Sequence, residues 1–352
     1  MLFTTWASHT IKKKILITGI NGQDGAFLAQ LAINNELEVI GVQRPLPDYR
    51  EKQFVYRLEK LNIYDNITFE VLDLTLEKNC DYLFKEYNPL YFSHLGSQSS
   101  VVKGDTHKTL TIENELISEN LINSLTRYSQ DTKMFFPSSA TIYEGYQNKT
   151  VNEKTLPKPL TTYSQTKYNT HRKLKNLIDK KKLNGSIGIM FSHESEFRRP
   201  NFFSKTIVEF LAKYIQNEAK NLTVGNILIQ RDIGYAKQYV EAIFKIMQSS
   251  KCDEFIVSSN KLDSLKDFIT TCLNLLEINY EILQSKENII FIDKSTGKPF
   301  IESNPAKYRE VDLHGIKGDN TKILNEIGWS PDYSLQKICS KMINYELKQK
   351  KG

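Results

Sequence analysis

Short apolar runs alternate with longer amphipathic stretches along the first half of the chain. The apolar runs predict buried strands at residues 15–18, 38–42, 67–72, 89–95, 133–136 and 186–191. Helical spacing occurs between several of them, at residues 23–34, 76–86, 109–128 and 162–182. Strands that alternate with helices are typical of a parallel sheet covered by helices on both faces. The pattern therefore predicts the α/β class, with a doubly wound parallel sheet of the Rossmann type.

The pattern becomes irregular and mixed beyond Phe191. A smaller mixed α/β lobe built over the strand ends would give such a pattern. We therefore predict a Rossmann domain over residues 12–191, to which segments around 230–260 return. The C-terminal lobe is expected to be formed mainly by residues 192–350.

A glycine-rich segment follows the first predicted strand and opens the first predicted helix. It has the spacing G-x-x-G-x-x-G, with Gly19, Gly22 and Gly25. Glycines let a backbone turn tightly and approach a pyrophosphate, whose charge lies at the helix N-terminus. We predict a dinucleotide-binding loop whose contacts include these glycines, Asn21, and the adjacent Gln23 and Asp24.

The end of the second strand indicates which dinucleotide is bound. Enzymes that select NAD usually have an acidic residue there, which binds the ribose 2′-hydroxyl. This chain has Arg44 and no acid nearby, which favours NADP over NAD because an arginine suits a 2′-phosphate. A solvated surface arginine is the alternative. Asp73, after the third strand, could meet the adenine edge or cap the next helix.

Two further segments carry the candidate reactive groups. Ser139 lies in Ser-Ser-Ala-Thr-Ile-Tyr, and Tyr163 precedes Lys167 by four residues, which places both on one helix face. Tyr163 is expected to be the base that takes a proton from a substrate hydroxyl while hydride leaves the same carbon, and Ser139 to hold that hydroxyl. Lowering the phenol pKa from about 10 to about 7 requires about 4 kcal/mol, which Lys167 and an oxidised nicotinamide could supply.

The Tyr-x-x-x-Lys spacing is not specific by itself. It also occurs at Tyr56/Lys60 and Tyr333/Lys337. Only the Tyr163/Lys167 pair follows the fifth strand of a dinucleotide fold, where the nicotinamide end of the cofactor is expected.

Composition is that of a globular protein without nucleic-acid or membrane partners. Lys and Arg number 47 against 41 Asp and Glu, and no nucleic-acid reader motif accompanies this small surplus. The four cysteines form no Cys-x-x-Cys pair, so we expect neither a zinc site nor a disulfide framework. The sequence contains no run of about 18 apolar residues, so we expect no membrane span. The N-terminus does not resemble a signal peptide. A cytoplasmic location is expected.

Several motifs resemble those of one enzyme family. The chain resembles an extended short-chain dehydrogenase/reductase acting on nucleotide sugars, and is most similar to the GDP-mannose 4,6-dehydratase family over nearly its whole length. The matching segments are residues 18–25, 95–99, 191–195, 201–202, 224–226, 231–237, 318–322 and 328–329. The resemblance implies a C-terminal lobe that binds a nucleoside-diphosphate sugar, with GDP as the nucleotide, and a homodimer or homotetramer.

The resemblance also implies further site residues. Those on the cofactor side are Leu74, Leu95, Gln98 and His193, and those on the substrate side are Ser99, Ser192, Asn201, Lys205, Asn226, Arg231, Arg309 and Glu310. Arg231 and Arg309 are expected to bind the diphosphate, and a structural role between the lobes is the alternative. Ser192 replaces a family asparagine and Thr206 a family lysine, which leaves guanine and mannose in question.

Thr141 is the main departure from the family. The dehydratases carry Thr-Ser-Glu where this chain has Ser139-Ala140-Thr141, and their glutamate removes the C5 proton before water is lost. Thr141 cannot be that base, and Glu144, three residues further on, is the alternative base. The segment closely resembles the Ser-Ser-Ala-Thr-Val-Tyr of UDP-galactose 4-epimerases, which oxidise and re-reduce C4 without elimination. The catalytic set is therefore expected to be Ser139, Thr141, Tyr163 and Lys167.

These observations favour one reaction and leave two alternatives. The favoured function is NADP-dependent hydride chemistry at C4 of a nucleotide sugar, as a 4-epimerase or a 4-keto reductase. Dehydration of the GDP-mannose 4,6-dehydratase type is the first alternative. A non-catalytic, cofactor-binding regulatory protein is the second.

Overall fold

The computed structural model describes residues 12–45, 51–97, 105–285, 288–308 and 314–349, excluding the side chains of residues 51–54 and 105–111. In chain order its strands are β1 (Lys14–Thr18), β2 (Glu38–Gln43), β3 (Ile67–Val71), β4 (Tyr91–His94), β5 (Lys133–Ser139), β6 (Thr150–Val151), β7 (Gly185–Met190), β8 (Ser192–Glu194), β9 (Leu222–Val224), β10 (Gln230–Arg231), β11 (Ile233–Tyr235), β12 (Glu254–Val257), β13 (Asp263–Ser264), β14 (Tyr280–Gln284), β15 (Ile289–Asp293), β16 (Lys298–Ser303) and β17 (Lys317–Gly318).

Ten α-helices occur among the described residues, together with short 3₁₀ turns such as Ala140–Tyr143. They are α1 (Gln23–Asn34), α2 (Glu51–Lys60), α3 (Glu77–Tyr87), α4 (Asp105–Tyr128), α5 (Thr162–Asp179), α6 (Phe203–Tyr214), α7 (Ala236–Gln248), α8 (Leu265–Leu275), α9 (Thr321–Ile327) and α10 (Leu335–Gln349). None of these described helices combines the length and apolar character needed to cross a bilayer.

The main sheet contains seven described strands in the order β12-β7-β5-β4-β1-β2-β3, and every pairing is parallel. Side chains of a strand alternate between the two faces. Ile15 and Ile17 of β1 therefore pack into one core with α1 and α7, whereas Leu16 packs into another with α3, α4 and α5. The predicted doubly wound Rossmann fold is confirmed.

A smaller lobe lies over the carboxyl ends of the sheet strands. Its four described strands have the order β14-β15-β16-β9, and α6, α8 and α10 contribute to the same apolar core. Two short described pairings, β8 with β11 and β6 with β17, lie outside the two larger sheets. The cleft between the lobe and the main sheet holds the candidate site.

Several boundaries differ from the sequence prediction. β5 continues three residues beyond the predicted end, to Ser139, because Ser138 and Ser139 remain in register with Ile189 and Met190 of β7. α5 ends at Asp179 rather than Lys182, and Lys181 has a φ of +54°, which is incompatible with a helix. The pattern gave no indication of α2, and β12 was not predicted as a strand.

Candidate active site

Two glycines make the loop after β1 possible. Gly19 has a φ of +71°, and a Cβ there would lie 2.6 Å from the backbone nitrogen of Gly96. A Cβ at Gly25 would lie 2.3 Å from the Gly19 carbonyl oxygen. Neither position has room for a side chain, so the loop depends on glycine for its shape. Gly22 directly precedes α1, which leaves the N-terminus of that helix facing the loop as a site for an anion.

The glycine loop is tied to the segment that follows β7. Ser195 Oγ donates to Gln23 Oε1 at 2.6 Å, and His193 Nε2 lies 3.0 Å from Asp24 Oδ2. Within the loop's own neighbourhood, Asn21 Nδ2 donates to Gln43 Oε1 at 2.6 Å. The fold therefore brings the predicted cofactor residues Gln23 and Asp24 next to His193. At least 169 positions of sequence separate His193 from these two residues.

Asp24 and His193 form a charged pair. Burial disfavours both charged forms, but the mutual attraction and hydrogen bond are stronger, so the pKa of His193 is raised and that of Asp24 is lowered. The other ring nitrogen of His193 lies 2.7 Å from the Phe191 carbonyl oxygen, an acceptor. Both nitrogens therefore act as donors, in agreement with a protonated imidazole.

One continuous cleft of about 1680 Å³ runs from the glycine loop into the lobe. Its walls include the predicted residues Gly19, Asn21, Gly22, Arg44, Asp73, Leu74, Leu95, Ser192, Asn201, Lys205, Asn226 and Arg231. Gln98, Ser99, Arg309 and Glu310 lie outside the described residues. A cavity of this size can hold two extended ligands side by side.

Ser139, Thr141 and Tyr163 meet where β5 ends. Thr141 lies in the 3₁₀ turn Ala140–Tyr143, and its Oγ1 and backbone nitrogen donate to Ser139 Oγ at 3.0 and 3.2 Å. Tyr163 is half-buried in the first turn of α5, and Ser139 acts on it in the direction that lowers its pKa. The predicted serine and tyrosine are therefore adjacent in the structure.

Lys167 lies one turn further along α5, on the same face as Tyr163. Its Nζ donates to Ser97 Oγ at 3.1 Å and to the Pro137 carbonyl oxygen at 3.4 Å. Burial disfavours the ammonium and lowers the pKa of Lys167 to about 8. Ser97 lines the cleft, so Lys167 reaches its wall through this hydroxyl.

The pKa of Tyr163 is raised in the protein alone. Burial raises it, the Arg198 charge lowers it, the Glu144 charge raises it and Ser139 lowers it, so that the pKa of Tyr163 is about 12. The expected lowering by Lys167 together with an oxidised nicotinamide stays a prediction; in the protein alone, the cation that acts on this phenol is Arg198. A phenolate at neutral pH requires further positive charge beside it.

Glu144 is not positioned as a substitute base. Its carboxylate accepts hydrogen bonds from Ser164 Oγ at 2.6 Å, from Thr161 Oγ1 at 3.0 Å and from Thr161 N at 3.1 Å. These donors lie at the start of α5, where Thr161 and Ser164 also form a capping box. Glu144 thus caps a helix, a role for which its charge is well suited.

Sequence reasoning missed three arginines of the cleft wall, which are Arg57, Arg198 and Arg199. Arg198 acts on Tyr163, Asp24 and His193, and its guanidinium lies 3.7 Å from the Phe202 ring centroid. Burial lowers the pKa of Arg199, and the charges of Arg198 and Arg44 lower it further, which shows that the three cations are close. The Arg-Arg pair three residues after Ser195 was the available signal.

Lys205 and Asp73 are held by the protein itself. Lys205 is 6% exposed, forms a buried ion pair with Glu346 of α10, and lies 3.8 Å from Glu209. Asp73 Oδ1 accepts from Thr75 N at 3.0 Å and from Thr75 Oγ1 at 2.7 Å, which closes a turn before α3. Both still line the cleft, so neither expected role is removed.

The described residues contain no group of three or more His, Cys, Asp or Glu side chains that could hold a metal ion.

The chain is similar to known proteins over almost its full length. The family model described as GDP-mannose 4,6 dehydratase matches residues 16–342. The GDP-mannose 4,6 dehydratase of Homo sapiens is 26% identical over 346 residues, which cover 94% of this chain and 91% of that protein. The GDP-mannose 4,6-dehydratase of Vibrio cholerae serotype O1 is 27% identical over 353 residues, covering 96% and 94%.

Solved structures share the same fold. UDP-glucose 4-epimerase from Thermotoga maritima superposes with a TM-score of 0.76 at 19% identity, covering 96% of this chain and 99% of that one. The dTDP-glucose 4,6-dehydratase from Bacillus anthracis gives 0.77 at 14% identity, covering 96% and 98%. The predicted superfamily and the prediction of an enzyme are confirmed, and the family match over residues 16–342 shows that the chain belongs to the GDP-mannose 4,6-dehydratase family.

Proposed function

We propose that the protein is an NADP-dependent enzyme that transfers hydride at C4 of a nucleoside-diphosphate sugar, as a 4-epimerase or a 4-keto reductase. The observation that carries this proposal is the hydrogen bond from Thr141 Oγ1 to Ser139 Oγ at 3.0 Å, beside Tyr163. The position of the family glutamate is occupied by Thr141, whose hydroxyl donates a hydrogen bond to Ser139. The groups needed for oxidation at C4 are retained, and the base needed for elimination is replaced.

The chemistry at C4 requires one proton and one hydride to leave the same H–C–O–H unit. Tyr163, as the phenolate, takes the hydroxyl proton, the C–H electron pair leaves as hydride, and a C4 ketone forms. A bound nicotinamide supplies the hydride acceptor in this direction and the donor in the reverse direction. Ser139 donates to the C4 oxygen, where charge develops. Return of hydride to the opposite face of the ketone gives the 4-epimer.

The charges beside the glycine loop support NADP over NAD. Arg44 and Arg199 influence one another electrostatically at the cleft wall, and the residue pair Gln43-Arg44 ending β2 contains no carboxylate. A 2′-phosphate relieves repulsion between neighbouring arginines and accepts paired hydrogen bonds from a guanidinium.

Family membership supports a GDP-linked substrate. Asn226 and Arg231 line the lobe side of the cleft, where an arginine can bind a diphosphate. Ser192 and Thr206 also line it, so the sugar and base contacts differ from the family pattern at two positions. On the same resemblance we propose a cytoplasmic homodimer or homotetramer.

A GDP-mannose 4,6-dehydratase activity is the second candidate, because the family model covers residues 16–342. The structure of the site disfavours it, since Glu144 is engaged by four donor groups at and before the start of α5: Leu160 N, Thr161 N, Thr161 Oγ1 and Ser164 Oγ.

Product analysis separates the candidates. The purified protein is incubated with NADP⁺ or NADPH and with GDP-mannose, other GDP-sugars, their 4-keto derivatives and UDP-sugars, and products are identified by NMR. A C4-epimer, or a 4-hydroxy sugar formed from a 4-keto substrate, supports the proposal. Accumulation of a 4-keto-6-deoxy sugar from GDP-mannose contradicts it and establishes dehydration. Nucleotide binding without turnover of any sugar indicates a regulatory protein.

A further inference from the structure

Arg57 of α2 is a buried cation that bonds to two separate parts of the site. Its side chain is 5% exposed. Nη1 donates to the Asn21 carbonyl oxygen at 2.9 Å, and Nε donates to the Phe197 carbonyl oxygen at 2.9 Å. Asn21 belongs to the glycine loop, and Phe197 directly precedes Arg198. One guanidinium therefore joins the cofactor loop to the segment whose charge acts on Tyr163.

The Arg57 charge has no carboxylate partner among the described side chains. The groups that act on it are Tyr56, Arg199 and Tyr345, and burial together with Arg199 lowers its pKa. An uncompensated buried charge is costly, and removing its bonds to backbone oxygens would leave two carbonyls unsatisfied. Arg57 also lines the cleft, so an anionic ligand there would be attracted by its charge.

A cluster of aromatic rings packs around both Phe197 and the Arg57 guanidinium. Phe197 lies 5.2 Å from Phe27, 5.7 Å from Tyr345 and 6.3 Å from Tyr56, measured between ring centroids. The Arg57 guanidinium carbon lies 4.5 Å from the Tyr56 ring centroid. These rings come from α1, α2 and α10, so packing of three helices holds Arg57 and its hydrogen-bond partner Phe197 in position.

Other bonds join the same two segments, but each of them starts from a side chain of the glycine loop or of the helix that it opens, including Gln23 Nε2 to the His193 carbonyl oxygen at 3.4 Å. Gln23 bonds to Ser195, and Asp24 pairs with His193. Arg57 is different because it holds main-chain oxygens of both segments, and thereby fixes the path of the backbone at Asn21 and at Phe197.

We propose that Arg57 is a positioning residue that sets the glycine loop and the Arg198 segment relative to one another, so that binding of the dinucleotide depends on it. This inference rests on the proposed nucleotide-dependent function. The planar fork of arginine reaches both oxygens at once, whereas a lysine has one ammonium and cannot span them in the same way.

The test measures NADPH and NADH binding by nicotinamide fluorescence, with thermal unfolding and circular dichroism, for wild type, Arg57→Lys, Arg57→Met and Arg57→Ala. Loss of two charge-assisted bonds is expected to weaken NADPH binding by about 10- to 100-fold in Arg57→Met. Arg57→Lys keeps the buried charge and is expected to lose about three- to tenfold. Methylguanidinium added to Arg57→Ala is expected to restore binding, and methylammonium is not.

Gln238→Leu is the matched control. Gln238 is 8% exposed, and its amide bonds to Asp332 and to the backbone nitrogen of Tyr333, neither of which belongs to the glycine loop. This variant is expected to be destabilised while NADPH affinity stays within about twofold of wild type. If both Arg57→Met and Arg57→Lys unfold at lower temperature yet bind NADPH with wild-type affinity, Arg57 is only structural and the inference is wrong.

The two proposals fail in different ways. A wild-type protein that binds a nicotinamide dinucleotide but converts no sugar contradicts the proposed reaction, and the Arg57 comparison is still made on binding. A wild-type protein that binds neither NADPH nor NADH contradicts both. If Arg57→Met does not fold, Arg57→Lys decides, and methylguanidinium rescue of Arg57→Ala gives a second decision.

Discussion

Thr141 Oγ1 donates a hydrogen bond to Ser139 Oγ at 3.0 Å, and the backbone nitrogen of Thr141 donates to the same oxygen at 3.2 Å. Because Ser139 Oγ accepts both, its own proton remains available to a third group, and Ser139 already acts to lower the pKa of the neighbouring Tyr163. With a substrate bound, the same proton can serve the C4 oxygen. At the position where the family has a glutamate, this chain has Thr141, which orients the Ser139 hydroxyl as a hydrogen-bond donor.

Replacing Thr141 with glutamate should introduce elimination. Thr141→Glu places a carboxylate where the family has one and removes the hydroxyl that bonds to Ser139. We expect 4-keto-6-deoxy product to appear or to increase, since a positioned general base typically contributes about 10²–10⁴-fold. NMR of products from GDP-mannose and the incorporation of solvent deuterium at C5 measure this change.

Thr141→Gln is the matched control, because it has nearly the same size and cannot accept a C5 proton. The assignment of this position would be wrong if Thr141→Glu and Thr141→Gln gave the same products at the same rates. Both variants are expected to slow hydride transfer at C4, because both lose the Thr141 hydroxyl.

Glu144 should prove structural. Glu144→Gln replaces a carboxylate that accepts from Ser164 Oγ and Thr161 N with an amide whose NH₂ cannot accept. We expect the free energy of unfolding to fall by about 1–3 kcal/mol, while the ratio of products stays unchanged. Urea titration and product analysis give the two values. A loss of elimination product, with stability retained, would instead identify Glu144 as the base.

The sequence predicted the sheet well because its strands are continuous apolar runs, and Ile15, Leu16 and Ile17 are all fully buried. It predicted the glycine loop because the Cβ contacts at Gly19 and Gly25 leave no other residue possible. It could not predict the bonds of Arg57 to Asn21 and Phe197, because a contact across 140 positions depends on the fold and has no periodicity. For the same reason, the effect of Arg198 on Tyr163 required coordinates.

Tyr163→Phe should abolish turnover without loss of cofactor. Removal of the phenol oxygen removes the proton acceptor, and we expect kcat to fall by about 10²–10⁴-fold with NADPH affinity within about threefold. Tyr333→Phe is the control, since Tyr333 has the same spacing to a lysine and stacks on Tyr235 at 4.4 Å between ring centroids. Equal effects of the two substitutions on kcat would contradict the assignment.

The Asp24–His193 pair should stabilise the fold over a limited pH range. The raised pKa of His193 contributes stability at pH values below its ordinary pKa of 6.5, and this stability is lost as pH rises through the pKa of the folded state. The lowered pKa of Asp24 contributes stability at pH values above its ordinary pKa of 3.8, and this stability is lost as pH falls through the pKa of the folded state. The difference in Tm between wild type and Asp24→Asn should therefore be greatest between about pH 4 and 6.5 and decrease above that range.

Asp179→Asn is the control for this pH series. Asp179 pairs with Lys175 on the surface of α5 and is 57% exposed, so its effect on Tm should be small at every pH. A difference for Asp24→Asn that grows steadily from pH 6.5 to 9 would show that His193 is neutral in the folded protein.

Arg44 should determine the choice between the two dinucleotides. Arg44→Ser removes a cation whose charge acts on Arg199 at the cleft wall, and a 2′-phosphate would lose a charge-assisted hydrogen bond worth about 1.5–3 kcal/mol. The Kd for NADPH should rise by about 10- to 100-fold and that for NADH by less than about threefold, measured by fluorescence titration. Arg127→Gln, on the exposed face of α4, should change neither value. If Arg44→Ser weakens NADPH and NADH equally, Arg44 binds a phosphate common to both, and the preference for NADP has another origin.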